Sequence, residues 1–215
     1  MIQNKHSSAF GLIGSSHFKF IRKNIAKFFL FLGILLVYQS AYSTSIKGKI
    51  RTKYEPLNEA VVYIEKIEGK TFSPPEKPVI MDQIDLTFIP HVLPILVGTT
   101  VIFPNSDDTR HSVFSASKTN KFDFGSYAQG LKKKMTFVQP GVVPLLCHVH
   151  PEMSAFIVVV ETPFFSITDE EGSFQIKNVP PGKYKLTVWH EWAKTKTQQI
   201  TVLEHQDLSV NFILD

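Results

Sequence analysis

From Ser45 to Asp215, apolar residues recur at every second position or in short unbroken runs, and almost nowhere at the three- and four-residue spacing of a helix. Successive side chains of a strand point to opposite faces, so this pattern constrains the chain to sheets. "SIKGKIRT" sets Ile46 and Ile50 on one face, and Leu208, Val210, Phe212 and Leu214 alternate near the C-terminus. "EAVVYIEKI", "VVPLLC" and "SAFIVVVE" are apolar and rich in β-branched residues, and "TFIPHVLPILVGTTVIFPN" reads as two strands broken at Gly98. After Pro163, "SFQI", "KYKLTVWH", "TQQITVL" and "LSVNFIL" complete the set. The expected fold class is all-β. The one long irregular stretch, Ser115 to Lys134, is polar and reads as a loop with room for a turn of helix.

The first 43 residues are different. They carry Lys5, Lys19, Arg22, Lys23 and Lys27 and no acidic residue, then the apolar run "FFLFLGILLVY" from Phe28 to Tyr38, then Ala41-Tyr42-Ser43. A basic start, a short apolar run and small residues at −3 and −1 read as a secretory signal over 1–43. Eleven apolar residues fall short of the roughly 20 of a spanning helix, so the mature chain is expected to have no membrane span and to be periplasmic or otherwise exported. An uncleaved anchor is the alternative reading. The whole chain has 23 basic and 19 acidic residues; without the five leader bases the balance is 18 against 19. A mature chain near neutrality offers no basic surplus for nucleic acid.

Cys147 is the only cysteine, so it has no intramolecular disulfide partner, and a free thiol in an oxidising compartment calls for burial or ligation. Its neighbours are "CHVHPEM", with His148, His150 and Met153. A mononuclear copper site for electron transfer uses a thiolate, two imidazoles and a weak axial thioether. The loop offers three kinds of donor. A second piece, "VIFPNSDDTRHSVFS", brings His111 after a strand and an Asn-x-Asp turn.

Two resemblances organise these motifs. "ITDEEGSFQIKNVPPGKYKL", with Thr168, Asp169, Gly172, Phe174, Pro181, Gly182 and Tyr184, and the earlier Pro56, Leu57, Ala60 and Val62, resemble the carboxypeptidase-regulatory-like, or transthyretin-like, β-sandwich. Asp-x-x-Gly and Pro-Gly supply its turns. If the two pieces form one sandwich, 44–71 and 164–215 make a discontinuous domain and 72–163 is inserted in it; a simple tandem is the alternative. Residues 84–160 resemble a cupredoxin, of plastocyanin, pseudoazurin or amicyanin type. The match runs through Phe88, Pro90, Leu93, Leu96, Gly98 to Phe103, Asn105, Asp107 and His111, and a short Cys-x-x-His-Pro-x-Met loop. The resemblance implies a Greek-key sandwich holding one copper ion in a type 1 site, with His111 and His150 as imidazole ligands, Cys147 as thiolate and Met153 as axial ligand. It also departs from the family at Ser112, where blue copper proteins commonly carry Asn. The mature chain as a whole is similar to exported proteins labelled methylamine-utilisation or plastocyanin-like.

In an extended segment His148 points away from the face that Cys147 uses, so it is expected outside the copper site. The competing reading gives it a second copper centre, as in copper oxidases and nitrite reductases. His91 reads as a surface histidine or one facing the second sandwich, "TDEEG" as a β-turn, and Lys132 to Lys134 as a solvated face with some potential for acidic partners. These expectations combine into a one-electron carrier, not an enzyme, whose partners are other redox proteins docking near His150 and Pro151. Copper storage, delivery or resistance is the alternative function. The sequence does not fix the oligomeric state.

Overall fold

The computed structural model describes residues 44–215; the expected signal segment, 1–43, lies outside them. Among the described residues there is no helix long and apolar enough to cross a membrane. In chain order the strands are β1 (Ile46–Arg51), β2 (Val61–Ile64), β3 (Val79–Ile80), β4 (Asp82–Ile84), β5 (Thr87–Ile89), β6 (Val92–Leu96), β7 (Thr100–Pro104), β8 (His111–Ser115) and β9 (Phe122–Tyr127). Then follow β10 (Lys132–Thr136), β11 (Gly141–Leu146), β12 (Ser154–Val160), β13 (Phe165–Ile167), β14 (Ser173–Ile176), β15 (Gly182–His190), β16 (Ala193–Val202), β17 (Leu208–Ser209) and β18 (Phe212–Ile213). The chain is all-β.

Strands β3 to β12 build one sandwich. Its larger sheet has the order β6-β12-β11-β8-β9 and its smaller one β10-β7-β3, with β4 and β5 paired beside them. Inward side chains at alternate positions fill the space between: Val101 and Phe103 from β7, Val143 and Leu145 from β11, Ala155, Ile157 and Val159 from β12. The stretch expected as irregular with a turn of helix instead holds β9 and the first part of β10. In "KFDFGSY", Phe122 and Phe124 lie among polar residues, yet both pack against Phe103, with ring centres 6.0 and 5.7 Å away. Their partial burial against the core overrides the polar local composition.

The remaining strands build a second sandwich. In one sheet β1 lies between β14 and β17, with β18 also on β1; the other has the order β13-β2-β15-β16. The alternation near the C-terminus holds, with Val210, Phe212 and Leu214 buried in this core beside Ile46 and Ile50. The long single strand expected there is split into β17 and β18, both parallel to β1. Asp169 closes the Asp-x-x-Gly turn by accepting the amides of Glu171 and Ser173 at 3.1 and 2.7 Å.

Strand β12 explains its own unbroken apolar run, because both its faces are buried. Ala155, Ile157 and Val159 face the first core, while Val158 and Val160 join Val92, Val61 and Trp189 in a cluster where the two sandwiches meet. Five such side chains removed from water contribute on the order of 10 kcal/mol as an upper bound. The two sandwiches are therefore packed together rather than strung on a linker.

Gly172 has φ of 70°, and a Cβ there would overlap the Ile50 carbonyl; Gly130 has φ of 77° with open space around it. Gly130→Ala should therefore cost about 1 kcal/mol of conformational strain. Gly172→Ala should cost about 1–3 kcal/mol more, because its methyl also has to displace backbone. Denaturant midpoints of the two variants measure the difference.

Candidate metal centre

The site sits at one end of the larger sheet, where β8 begins, β11 ends and β12 begins. Asn105, fully buried, shapes the approach to β8: its Nδ2 donates to the carbonyls of Thr109 (2.8 Å) and Tyr127 (3.1 Å), and its Oδ1 accepts the Asp107 amide at 3.0 Å. This turn brings Asp107 back beside His111. Asp107 Oδ2 accepts the Leu86 amide at 2.8 Å and His111 Nε2–H at 2.9 Å. The Leu86 amide first, and the His111 ring after it, hold the Asp107 carboxyl below the usual carboxylate range.

The Asp107 contact decides what His111 can offer. With hydrogen on Nε2, its Nδ1 is left as a lone pair. Facing it at 3.0 Å is Nδ1 of His150. Two lone pairs at that distance repel, so the arrangement needs either a hydrogen or a cation between the rings. Cys147 Sγ completes the group: one donor atom from each of His111, Cys147 and His150 lies within 4.8 Å of the others. With metal–nitrogen bonds of about 2 Å, one first-row ion would reach both Nδ1 atoms, and the Cys147 sulfur lies in the same group.

Cys147 is 4% exposed, His111 is fully buried, and Met153 is 1% exposed in the same apolar cluster as Cys147. Met153 is also tied to the loop, its amide donating to the His150 carbonyl at 3.0 Å. Of the four residues expected at the site, three are brought together by their donor atoms and the fourth is buried in the cluster that lines it. His150 is partly exposed.

Ser112 replaces the expected Asn, and the thiol is nonetheless held. The Ser112 amide donates to Cys147 Sγ at 3.4 Å, and its hydroxyl lies 3.7 Å from the same sulfur. That hydroxyl also accepts the His148 amide at 2.7 Å. One short side chain thus fastens both the sulfur and the first residue of the loop. The His148 ring lies flat on Phe114, centres 3.7 Å apart, with Nε2 3.1 Å from Asp123 Oδ2. It is engaged on the outside of the sheet and is not one of the clustered donors.

Beneath the site Tyr127 pairs across from His111. Its hydroxyl accepts Gln83 Nε2–H at 2.6 Å and donates to the Phe103 carbonyl at 3.2 Å. Sequence reasoning passed over Gln83 and Asp123, whereas Asn105 and Asp107 had left a signal in the Asn-x-Asp turn before His111.

Residues 153–215 match the carboxypeptidase regulatory-like domain. The matched segment contains β12 to β18 and leaves out β1 and β2, which pair with β13 to β18 strands. Among solved structures, a purple cupredoxin from Nitrosopumilus maritimus is similar to 38% of this chain over 98% of its own, at 24% identity and a TM-score of 0.35. Amicyanin from Paracoccus versutus is similar to 40% of this chain over 83% of its own, at 20% identity and a TM-score of 0.36. A copper-containing nitrite reductase from Thermus scotoductus SA-01 covers 52% of this chain at 28% identity and a TM-score of 0.39, but the chain spans only 28% of that protein. No protein of curated function matches the chain. The carboxypeptidase regulatory-like resemblance drawn from the motifs recurs in the matched family. All three TM-scores are below 0.5, and what the site can bind follows from its donors.

Burial pushes the Tyr127 hydroxyl up to about 12. In an alkaline absorbance titration one tyrosine should stay un-ionised until the pH nears that value, and Tyr127→Phe should remove that last phase. The same variant leaves a Gln83 N–H without its partner and should cost about 1–2 kcal/mol in a denaturant titration.

Proposed function

We propose that the protein is an exported carrier of single electrons that holds one copper ion on His111, Cys147 and His150, with Met153 as a weaker axial ligand. The observation that carries this reading is the donor set: a buried sulfur and two facing imidazole nitrogens within one ion's reach, with a thioether buried beside them. A soft thiolate and thioether with two imidazoles favour copper over hard cations. When bound, the copper supplies a one-electron Cu(II)/Cu(I) couple.

The chain's own residues do the rest. Asp107 fixes the His111 ring by its 2.9 Å contact, and Ser112 holds the sulfur from two atoms. The burial of His111, Cys147 and Met153 keeps water from the donors. A set of ligands held from behind in this way resists rearrangement when the charge changes, which is what rapid electron exchange requires. His150 is the partly exposed ligand; Pro151 and Val149 beside it are exposed. This edge suits docking of other redox proteins. On this reading residues 72–163 are the copper domain, inserted between 44–71 and 164–215, and the protein is a carrier rather than an enzyme.

Copper reconstitution tests the reading. An intense thiolate-to-copper charge-transfer band that disappears in Cys147→Ser is expected; colourless Cu(II) binding that survives the substitution overturns it. Rapid handover of the copper to an acceptor protein, with slow electron self-exchange, would instead favour delivery. Ser112→Ala removes a hydroxyl donor from beside the sulfur and makes the thiolate a better partner for Cu(II). The reduction potential should fall by about 20–60 mV, the one-electron equivalent of a hydrogen bond of about 0.5–1.5 kcal/mol, as read by protein-film voltammetry.

A further inference from the structure

His91 sits in the link between β5 and β6, at the mouth through which the metal loop returns to the sheet. Its Nδ1 is 3.1 Å from the Ser154 carbonyl and its Nε2 is 3.0 Å from Glu191 Oε1. Its own carbonyl accepts the Phe156 amide at 2.9 Å, and its ring stands edge-on to Phe156 with centres 5.7 Å apart. Ser154 follows Met153 directly and pairs with Leu146, the residue before Cys147. Glu191 belongs to the other sandwich, in the turn between β15 and β16, and its side chain is only 14% exposed. Phe156 in turn rests on Trp189 of β15, centres 5.2 Å apart.

We propose that Glu191 and His91 are positioning residues through which the second sandwich sets the place of the Met153 end of the metal loop. The proposal rests on the copper reading above for its redox consequence, but its geometry concerns the protein alone. The loop is fastened at its Cys147 end by Ser112 of the same sandwich. At its other end the fastening is His91, and the group that orients His91 comes from outside. Both atoms facing the His91 ring are acceptors, a carbonyl and a carboxylate oxygen. Both contacts are made together only when both ring nitrogens carry hydrogen. Without Glu191 the ring loses the partner that fixes its plane from the second sandwich, and its contact with the Ser154 carbonyl is held from one side only. A glutamine at 191 behaves differently: its amide donates to a bare Nε2, so that Nδ1–H stays on Ser154.

The experiment compares Glu191→Ala with Glu191→Gln, in two readouts. In metal-free protein with isotope-labelled methionine methyls, the Met153 resonance, assigned through Met153→Leu, should move in Glu191→Ala and keep its wild-type position in Glu191→Gln. In copper-loaded protein, Glu191→Ala should change the ratio of Cu(I) to Cu(II) affinity two- to tenfold, a potential shift of about 18–59 mV, with Glu191→Gln close to wild type. If Glu191→Ala does not fold, Glu191→Asp, which shortens the reach by one methylene, is read in its place. An unmoved Met153 methyl with lowered thermal stability would reduce the pair to a simple interface contact and overturn the proposal. So would a Glu191→Gln shift as large as that of the alanine variant. Failure of the wild type to take up copper would sink the copper reading alone, since the methyl readout needs no metal.

Discussion

Two imidazole nitrogens 3.0 Å apart need either a hydrogen or a cation between them. The turn before β8, Ser112 and the end of the β11–β12 ladder are arranged around that pair. Asp107 removes the alternative by claiming the far nitrogen of His111, and Asn105 and the Leu86 amide keep Asp107 in place. Ser112 brings the sulfur to the same point from β8, and the β11–β12 ladder sets the span across which the loop must return. No one of these contacts is strong by itself. Their shared effect is to leave the donors few other positions to adopt, so the group is preorganised before any ion arrives.

The sequence pattern made the class of fold legible because strand alternation is a local property. Ile46 and Ile50, or Val210 to Leu214, announce which face is buried without reference to any partner. The donors were legible for a chemical reason, since a lone cysteine beside two histidines and a methionine is a narrow combination. What stayed hidden was whatever depends on distant partners. Phe122 and Phe124 fall in a stretch that reads as a polar loop until Phe103 is placed under them. Ser112 read as a departure from a pattern, and its hydroxyl turns out to serve both the sulfur and the His148 amide. His91 was open between a surface position and one facing the second sandwich, and only Glu191, 100 residues away, settles it.

The junction between the sandwiches shows how one strand can serve two cores. Strand β12 gives alternate side chains to each, so a change at Val158 is felt on one side and a change at Ile157 on the other. Because β12 starts at the residue after Met153, its two-sided packing also limits how far the loop from Cys147 to Met153 can shift along the sheet. The exposed Lys132 to Lys134 lie on β10, at the edge of the smaller sheet, where charge discourages pairing with other chains.

The order of the strands has a consequence for how the chain comes to be folded. Every ladder partner of β1, and both ladder partners of β2, lie beyond residue 163. A chain emerging from its N-terminus therefore presents β1 and β2 long before anything can pair with them, whereas β3 to β12 find all their partners among themselves. Closing the pair Ile46–Ile176 while the intervening chain is loose would be slow, because that contact is distant in sequence. Once β3 to β12 have collapsed, the same closure joins two ends of a compact body and its entropic cost drops. A formed β3-to-β12 sandwich thus shortens the effective loop that β1 and β2 must close to reach their partners.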